Sequence, residues 1–116
     1  MQRDGHYWVD VNVNGNETRF VVDTGATFIV LSDNDARNLD IPYFENDYSV
    51  VVNTASGQTT MAEVTLDVVS VGAIELYGVK AYIARPGMLS VSLLGMNFLS
   101  RLDRFEFSNE KLILEH

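Results

Sequence analysis

The chain has 116 residues, of which 47% are apolar, which suits one folded domain with a hydrophobic core and leaves little room for two. Sixteen acidic against eight basic residues give a net charge of -8, which argues against binding through nucleic-acid phosphates. The absence of cysteine excludes disulfides and thiol catalysis. With only His6 and His116 as imidazoles, the sequence also argues against a Ser-His-Asp triad or a multi-histidine metal site. Carboxylates remain as the main candidates for catalysis.

The first predicted elements are the two strands of a hairpin. Tyr7 to Val13 alternates apolar and polar side chains, as a half-buried strand does. Asn14-Gly15 favours a tight turn, since both residues tolerate positive φ. Thr18 to Val22 returns as the second strand and leads directly into Asp23-Thr24-Gly25. A buried strand thus delivers one carboxylate into a tight loop, which makes Asp23 the first candidate for a catalytic residue.

A short helix is predicted after a third strand, Phe28 to Leu31. Ser32 is placed to cap this helix, which runs through Leu39, and Asp35 three residues later completes a capping-box pattern. Pro42 forbids its continuation. Asp33-Asn34-Asp35 has the look of a calcium loop, but it lacks the glycine and distal glutamate of an EF-hand, so helix capping is favoured and no metal site is expected.

The rest of the chain is predicted as strands, with one further helix. Tyr48 to Asn53 and Gln58 to Val64 flank Ser56-Gly57 as a long hairpin with a small polar tip from Asn53 to Thr60. The later elements are strands at Thr65 to Val71, Ile74 to Tyr77, Val79 to Ala84 and Ser90 to Leu94, with breaks at Gly72 and Gly78, a helix at Met96 to Leu102, and a hairpin of residues 105–107 and 111–113. The sequence therefore predicts an all-β fold with one or two helical turns.

Three motifs in this order carry a resemblance: Asp23-Thr24-Gly25-Ala26, the glycine-tipped hairpin near Ser56-Gly57, and Leu93-Leu94-Gly95-Met96-Asn97 leading into a helix. With them the chain resembles the retropepsin-like aspartic proteases, and it looks closest to their single-domain bacterial relatives. The resemblance covers about Tyr7 to Ile113. It implies a closed β-barrel of the acid-protease half type, as one domain over residues 1–116, active as a homodimer. The terminal Leu114-Glu115-His116 looks like a cloning remnant.

The resemblance implies a catalytic role for the first motif. Peptide hydrolysis without a metal or a nucleophilic side chain needs a base for water and an acid for the carbonyl oxygen, and two close carboxylates that share one proton supply both. Asp23 is therefore expected to meet Asp23 of a second chain across a twofold axis. Thr24 is expected to hydrogen-bond to the partner's loop, and Gly25 to admit backbone close to the acids. No cofactor is expected.

The resemblance also implies a cleft for an extended peptide with hydrophobic residues near the cut. Ala26 and Thr27 are expected beside the scissile bond, Leu93 under the catalytic loop and at a side-chain pocket, and the hairpin tip as a flap over the substrate. The residues expected to contact substrate are Val21, Ala26, Thr27, Val30, Ala55, Ser56, Gly57 and Leu93.

Two positions depart from the retroviral pattern and leave other functions open. Thr27 and Met96 stand where those proteases carry an acidic and a basic residue that brace the dimer. A retropepsin-fold dimerisation or peptide-binding module with little or no activity is therefore a second hypothesis, and a small β-barrel ligand binder is a third. The resemblance to bacterial relatives predicts a periplasmic or membrane-anchored protein, with any targeting segment or tether outside these residues.

Overall fold

The computed structural model describes residues 7–41, 47–54, 57–108 and 111–115. The elements in chain order are β1 (Tyr7–Val13), β2 (Asn16–Val22), β3 (Ile29–Leu31), α1 (Asp33–Asn38), β4 (Tyr48–Thr54), β5 (Gly57–Val71), β6 (Ile74–Ile83), β7 (Ser92–Leu94), α2 (Met96–Leu99), β8 (Arg104–Ser108) and β9 (Lys111–Glu115).

The first hairpin forms where the sequence predicts it. Asn14 and Gly15 both have positive φ, at 52° and 94°, as a two-residue turn of the primed type requires. Strands β1 and β2 then pair antiparallel, with Val13 opposite Asn16. The asparagine also fixes the turn to the rest of the sheet, because its side-chain oxygen accepts a hydrogen bond from the Val68 amide at 3.1 Å.

Six strands close into a barrel in the order β1-β2-β7-β3-β6-β5, and β5 pairs back onto β1. Closure depends on the length of β5, which has 15 residues. Its beginning pairs with β4, where Gly57 lies opposite Thr54, while Val69 near its end lies opposite Val13 of β1. The β4–β5 hairpin therefore extends beyond the ring. These pairings confirm the predicted all-β closed barrel.

The core fills the barrel and is almost entirely apolar. Several strands supply it by alternation: in β6, for example, Val79, Ala81 and Ile83 are buried, whereas Lys80 is exposed. The last three residues of β2 are all buried. Helix α2 adds Phe98 and Leu99, both fully buried. The largest fully buried side chains include Phe20, Phe98, Ile29, Leu31, Leu66, Ile83, Leu94 and Leu99.

Strand β6 runs through Gly78, so the break predicted there is wrong. Val79 pairs with Leu66 and Tyr77 with Val68, which keeps one register on both sides of the glycine. Gly78 has a φ of +62°, a conformation that a residue without a Cβ adopts freely. The strand therefore continues past the glycine in the same register.

Both helices are shorter than predicted, and neither is ended by proline. Helix α1 stops in a Schellman motif: Asp40 has a φ of 57° and donates to the Arg37 carbonyl, and Ile41 donates to the Ala36 carbonyl. The predicted stop at Pro42 lies outside the described residues. Helix α2 ends at Leu99: the Ser100 amide still donates to the Met96 carbonyl four residues back, but the Arg101 and Leu102 amides donate to carbonyls three residues back. Among the described residues, no helix is long and apolar enough to cross a membrane.

Only one of the two hydrogen bonds of the predicted capping box of α1 forms. The Ser32 hydroxyl accepts from the Asp35 amide at 3.1 Å, as expected. The Asp35 carboxylate does not return to the Ser32 amide. Instead the Ser32 amide donates to the hydroxyl of Ser92 in β7 at 3.0 Å, and Ser92 donates to Asp35 at 2.6 Å. A fully buried serine of another strand thus completes the helix cap.

The end of the chain takes part in the fold. Leu114 of β9 packs against the core, and Glu115 forms an ion pair with Arg104 of β8 at 3.3 Å. Both residues belong to the last hairpin, and their assignment to a cloning remnant stays a prediction.

Candidate active site

Asp23 begins a loop at the end of β2 and is held there by backbone hydrogen bonds. Its amide donates to the Leu94 carbonyl at 3.1 Å, which extends the parallel pairing of β2 and β7 by one residue. Its carboxylate oxygen Oδ1 accepts from the Gly25 amide at 2.9 Å, and its carbonyl accepts from the Ala26 amide. The Asp23 side chain is half-buried, whereas Thr24 and Gly25 are exposed. The loop therefore presents an oriented carboxylate at its base and exposed residues at its tip.

The turn from β7 into α2 supports this loop from the other side. The first amides of the helix bind the loop's carbonyls: Met96 donates to Ala26 at 2.8 Å and Asn97 to Thr27 at 2.9 Å. Gly95 makes this approach feasible, since a Cβ built on it would lie 2.2 Å from the carbonyl oxygen of Phe28. No side chain fits in that space, so the pairing of loop and helix requires glycine at this position.

Asn97 links three elements around the loop through its side chain. Its oxygen accepts from the Ile29 amide of β3 at 2.9 Å, and its nitrogen donates to the Lys80 carbonyl of β6 at 2.6 Å. From the sequence, Asn97 is predicted only as the end of the Leu93-Leu94-Gly95-Met96-Asn97 motif. A polar amide between the apolar Met96 and Phe98, just after a glycine, is the signal that points to such a bridging role.

An apolar groove of about 470 Å³ lies beside the loop. It is lined by residues 26–28, Val30, residues 50–53, Met61 and Tyr82. The groove therefore runs from the residues just after Asp23 to the inner side of the β4–β5 hairpin. Its mouth is broad, because Val51 is 62% exposed.

The predicted substrate contacts fall into two sets. Ala26, Thr27 and Val30 line the groove. Val21 and Leu93 do not: Val21 is buried, and its Cα partner in β7 is Leu93, which also pairs with Val30 of β3.

The predicted flap tip is only partly described. Gly57 is exposed, with a φ of +122°, and it pairs with Thr54. Ala55 and Ser56 lie outside the described residues. Substrate contacts by these residues, like those by Val21 and Leu93, stay predictions.

Two aromatic residues of the groove were missed at the sequence level. The rings of Phe28 and Tyr82 meet edge to face with centroids 4.9 Å apart. Phe28 was predicted to start a strand, but β3 begins one residue later. The sequence gives little indication that Tyr82 lines the groove, because tyrosine is common in strands whether or not it lies at a binding site.

The groove carries little charge of its own. None of its described lining residues is ionisable apart from the Tyr82 phenol. Nearby, Lys80 and Glu63 form a weak ion pair, with Nζ 4.0 Å from Oε1. In the described parts of the chain, no cluster of three or more His, Cys, Asp and Glu side chains could hold a metal ion.

Comparisons with known proteins agree on the family. The family model described as gag-polyprotein putative aspartyl protease matches residues 9–101. An uncharacterized protein of the cobV 5′ region of Sinorhizobium sp is 35% identical over 111 residues, covering 96% of this chain and 48% of the relative. An uncharacterized protein of Rickettsia prowazekii is 34% identical over 113 residues, covering 97% and 48%. The chain thus spans about half the length of the curated relatives it matches.

A solved structure is similar over nearly the whole chain. The crystal structure of a retropepsin-like aspartic protease from Rickettsia conorii superposes with a TM-score of 0.87 at 34% identity, covering 97% of this chain and 84% of that one.

Proposed function

Since the chain belongs to the gag-polyprotein aspartyl protease family and has the retropepsin-like fold, we propose that it is an aspartic endopeptidase that cuts extended polypeptide segments. The observation that carries the proposal is the oriented, half-buried Asp23 carboxylate beside an apolar groove. A carboxylate fixed by a loop amide is suited to acid–base work, because its direction does not change as the proton moves.

The proposed mechanism needs two chains, because one carboxyl group cannot be acid and base in the same step. In a homodimer the ionised Asp23 takes a proton from water, and the water oxygen attacks the peptide carbonyl carbon. The protonated Asp23 of the second chain gives its proton to the carbonyl oxygen. Collapse of the tetrahedral intermediate then breaks the carbon–nitrogen bond: the first Asp23 gives the leaving amine the proton that it took from water, and a hydroxyl of the intermediate returns a proton to the second Asp23.

The exposure of the loop tip supports the dimer. Thr24 and Gly25 are exposed in the single chain, although they adjoin a half-buried carboxylate. In the proposed dimer, Thr24 donates to the partner's loop and Gly25 lets backbone approach the acids. These contacts would fix the two carboxyl groups relative to each other, which proton transfer requires.

The groove and the β4–β5 hairpin would hold the substrate. An extended peptide can pair with exposed strand edges, and its alternate side chains then point into pockets. The apolar lining by Val30, Met61 and the valines of residues 50–52 supports hydrophobic residues near the cut.

Replacing Asp23 with Asn is the decisive test. The variant keeps the side-chain oxygen that the Gly25 amide binds but cannot ionise, so peptide-library cleavage should fall by at least about 10²-fold while the fold remains. Asp67→Asn, at an exposed position of β5, is the matched control and should leave cleavage unchanged. Mass spectrometry of the products, circular dichroism and solution mass are measured together. Unchanged turnover by Asp23→Asn would refute the proposal.

A binding module is the second candidate, and the neutral residues at Thr27 and Met96 favour it. The Met96 amide bonds the loop, but its side chain cannot form an ion pair across a dimer. This candidate predicts a dimer that binds peptides without cutting them. A strict monomer that ignores a pepstatin-like inhibitor would instead favour the third hypothesis, a small β-barrel ligand binder.

The periplasmic or membrane-anchored location stays a prediction. Cell fractionation of the full-length protein, with a cytoplasmic and a periplasmic marker as controls, would test it.

A further inference from the structure

The groove has an aromatic wall that begins close to the catalytic loop. Phe28 follows the catalytic loop directly, and Tyr82 lies opposite Val30 in the parallel pair of β3 and β6. Their rings are perpendicular, with an interplanar angle of 90°. Both side chains are half-buried and both line the groove. The wall is therefore reachable by a ligand that lies beside Asp23.

An ion pair supports this wall from outside the groove. The Tyr82 hydroxyl donates to Glu63 at 3.4 Å, and Glu63 pairs with Lys80. The Lys80 ammonium in turn lies 5.9 Å from the centre of the Phe28 ring. The four side chains thus form a closed set of contacts that restricts the two rings. Because the opposite charges largely cancel, the rim attracts neither an acidic nor a basic substrate strongly.

Size and polarity of the groove limit what fits it. An ionised side chain would lose its water against an uncharged lining, which is costly without a partner. A volume of about 470 Å³ leaves room for the largest side chains, aromatic or aliphatic. A third ring in it meets the faces and edges of the two present, an arrangement that aromatic groups prefer, whereas an aliphatic side chain gains only dispersion contacts.

We infer that Phe28 and Tyr82 are specificity-determining residues, which form a subsite for a large, uncharged aromatic side chain of the substrate. The inference rests on the proposed function, because it assigns the groove to the substrate of that same site. In a twofold homodimer the subsite occurs twice. The enzyme then prefers an aromatic side chain at two substrate positions, which lie at the same distance from the cleaved bond on its two sides. An aromatic pair gains about two- to tenfold over an aliphatic contact of similar area.

The test compares cleavage of matched peptides in which one position at a time is Phe, Trp, Leu, Lys or Glu. We expect the wild type to prefer the aromatic peptides in kcat/KM at the two positions. Tyr82→Leu should lose that preference there and keep its other cleavage, whereas Tyr82→Phe, which retains the ring, should keep it. Tyr77→Leu is the matched control, since Tyr77 lies on the same strand, is 62% exposed and does not line the groove.

Binding to the Asp23→Asn variant separates this inference from the proposed function. That variant should bind a Phe peptide more tightly than its Leu counterpart whether or not the wild type cuts either one. If the wild type does not cleave peptides but the protein still binds the Phe peptide more tightly than the Leu peptide, only the protease function is refuted. Equal binding and equal cleavage of the Phe and Leu peptides, or an unchanged preference in Tyr82→Leu, would overturn the subsite. If Tyr82→Leu does not fold, Phe28→Leu takes its place.

Discussion

The ends of strands β2 and β7 lie side by side in the barrel, but the turns that follow them have different structural roles. Strands β2 and β7 run parallel, with Val22 opposite Leu94, and each leads into a special turn. The turn after β2 carries Asp23 and has an exposed tip. The turn after β7 is buried at Gly95 and passes into α2. One strand end thus presents the Asp23 carboxylate, and its neighbour supplies hydrogen bonds that hold the Asp23 loop.

The glycines of the two turns show the difference most directly. A Cβ on Gly95 would lie 2.2 Å from a backbone oxygen, but a Cβ on Gly25 would meet only the Asp23 carboxylate, at 3.2 Å. The fold therefore requires glycine at position 95 but not at position 25, where a Cβ would meet only a side chain.

The largest effect is expected from Gly95→Ala. The added methyl group would force α2 away from the loop and break the amide bonds from Met96 and Asn97. We expect a loss of about 3 kcal/mol or more in the free energy of unfolding, measured by urea denaturation. Wild-type stability in this variant would show that α2 can shift without the loop, and that the turn after β7 does not hold the catalytic loop in place.

Gly25→Ala is the matched partner of that variant. Its stability should stay within about 1 kcal/mol of the wild type, because no backbone atom opposes the methyl group. Cleavage should fall by about 10- to 100-fold, since the methyl group crowds the carboxylate. If both alanine variants were equally unstable, the two turns would not differ in the way described.

Asn97→Ala is expected to lose stability too, but less than Gly95→Ala does. The substitution leaves the buried Ile29 amide and the Lys80 carbonyl without their side-chain partner. We expect about 2 to 4 kcal/mol less stability and a parallel loss of cleavage, because the loop loses its link to β3 and β6. Asn38→Ala, at an exposed position of α1, serves as the control and should change neither quantity. Activity that survives intact in Asn97→Ala would mean that Gly95 and the α2 backbone suffice to hold the loop.

The smallest effect is expected from Ser92→Ala. Ser92 is the first residue of β7, whereas the Asp23 loop bonds the last residue of that strand. The substitution removes the acceptor of the buried Ser32 amide and the donor to Asp35, for a cost of about 1 to 3 kcal/mol in thermal or chemical unfolding. Cleavage should change less than twofold at a temperature where the variant is folded. Ser90→Ala, in the exposed loop just before β7, should match the wild type in both measurements.

The parts predicted well from the sequence are those that neighbouring residues determine. The Asn14-Gly15 turn follows from the φ preferences of two residues, and the position of Asp23 in a loop at the end of β2 follows from one strand and the triplet after it. Closure of the barrel was expected only through the family resemblance, because Val13 meets Val69 across most of the chain. The aromatic wall was not predicted at all. Phe28 and Tyr82 belong to different strands, and no local pattern indicates that their rings meet.

The shared cap of α1 has a consequence for the order of folding. The Asp35 carboxylate reaches its donor Ser92 across 57 residues, so the helix has its full set of cap bonds only after β7 has joined the sheet. During synthesis, α1 leaves the ribosome well before Ser92 does. The complete cap of α1 therefore depends on the docking of β7, whereas the Ser32 cap and the Schellman end are local to the helix.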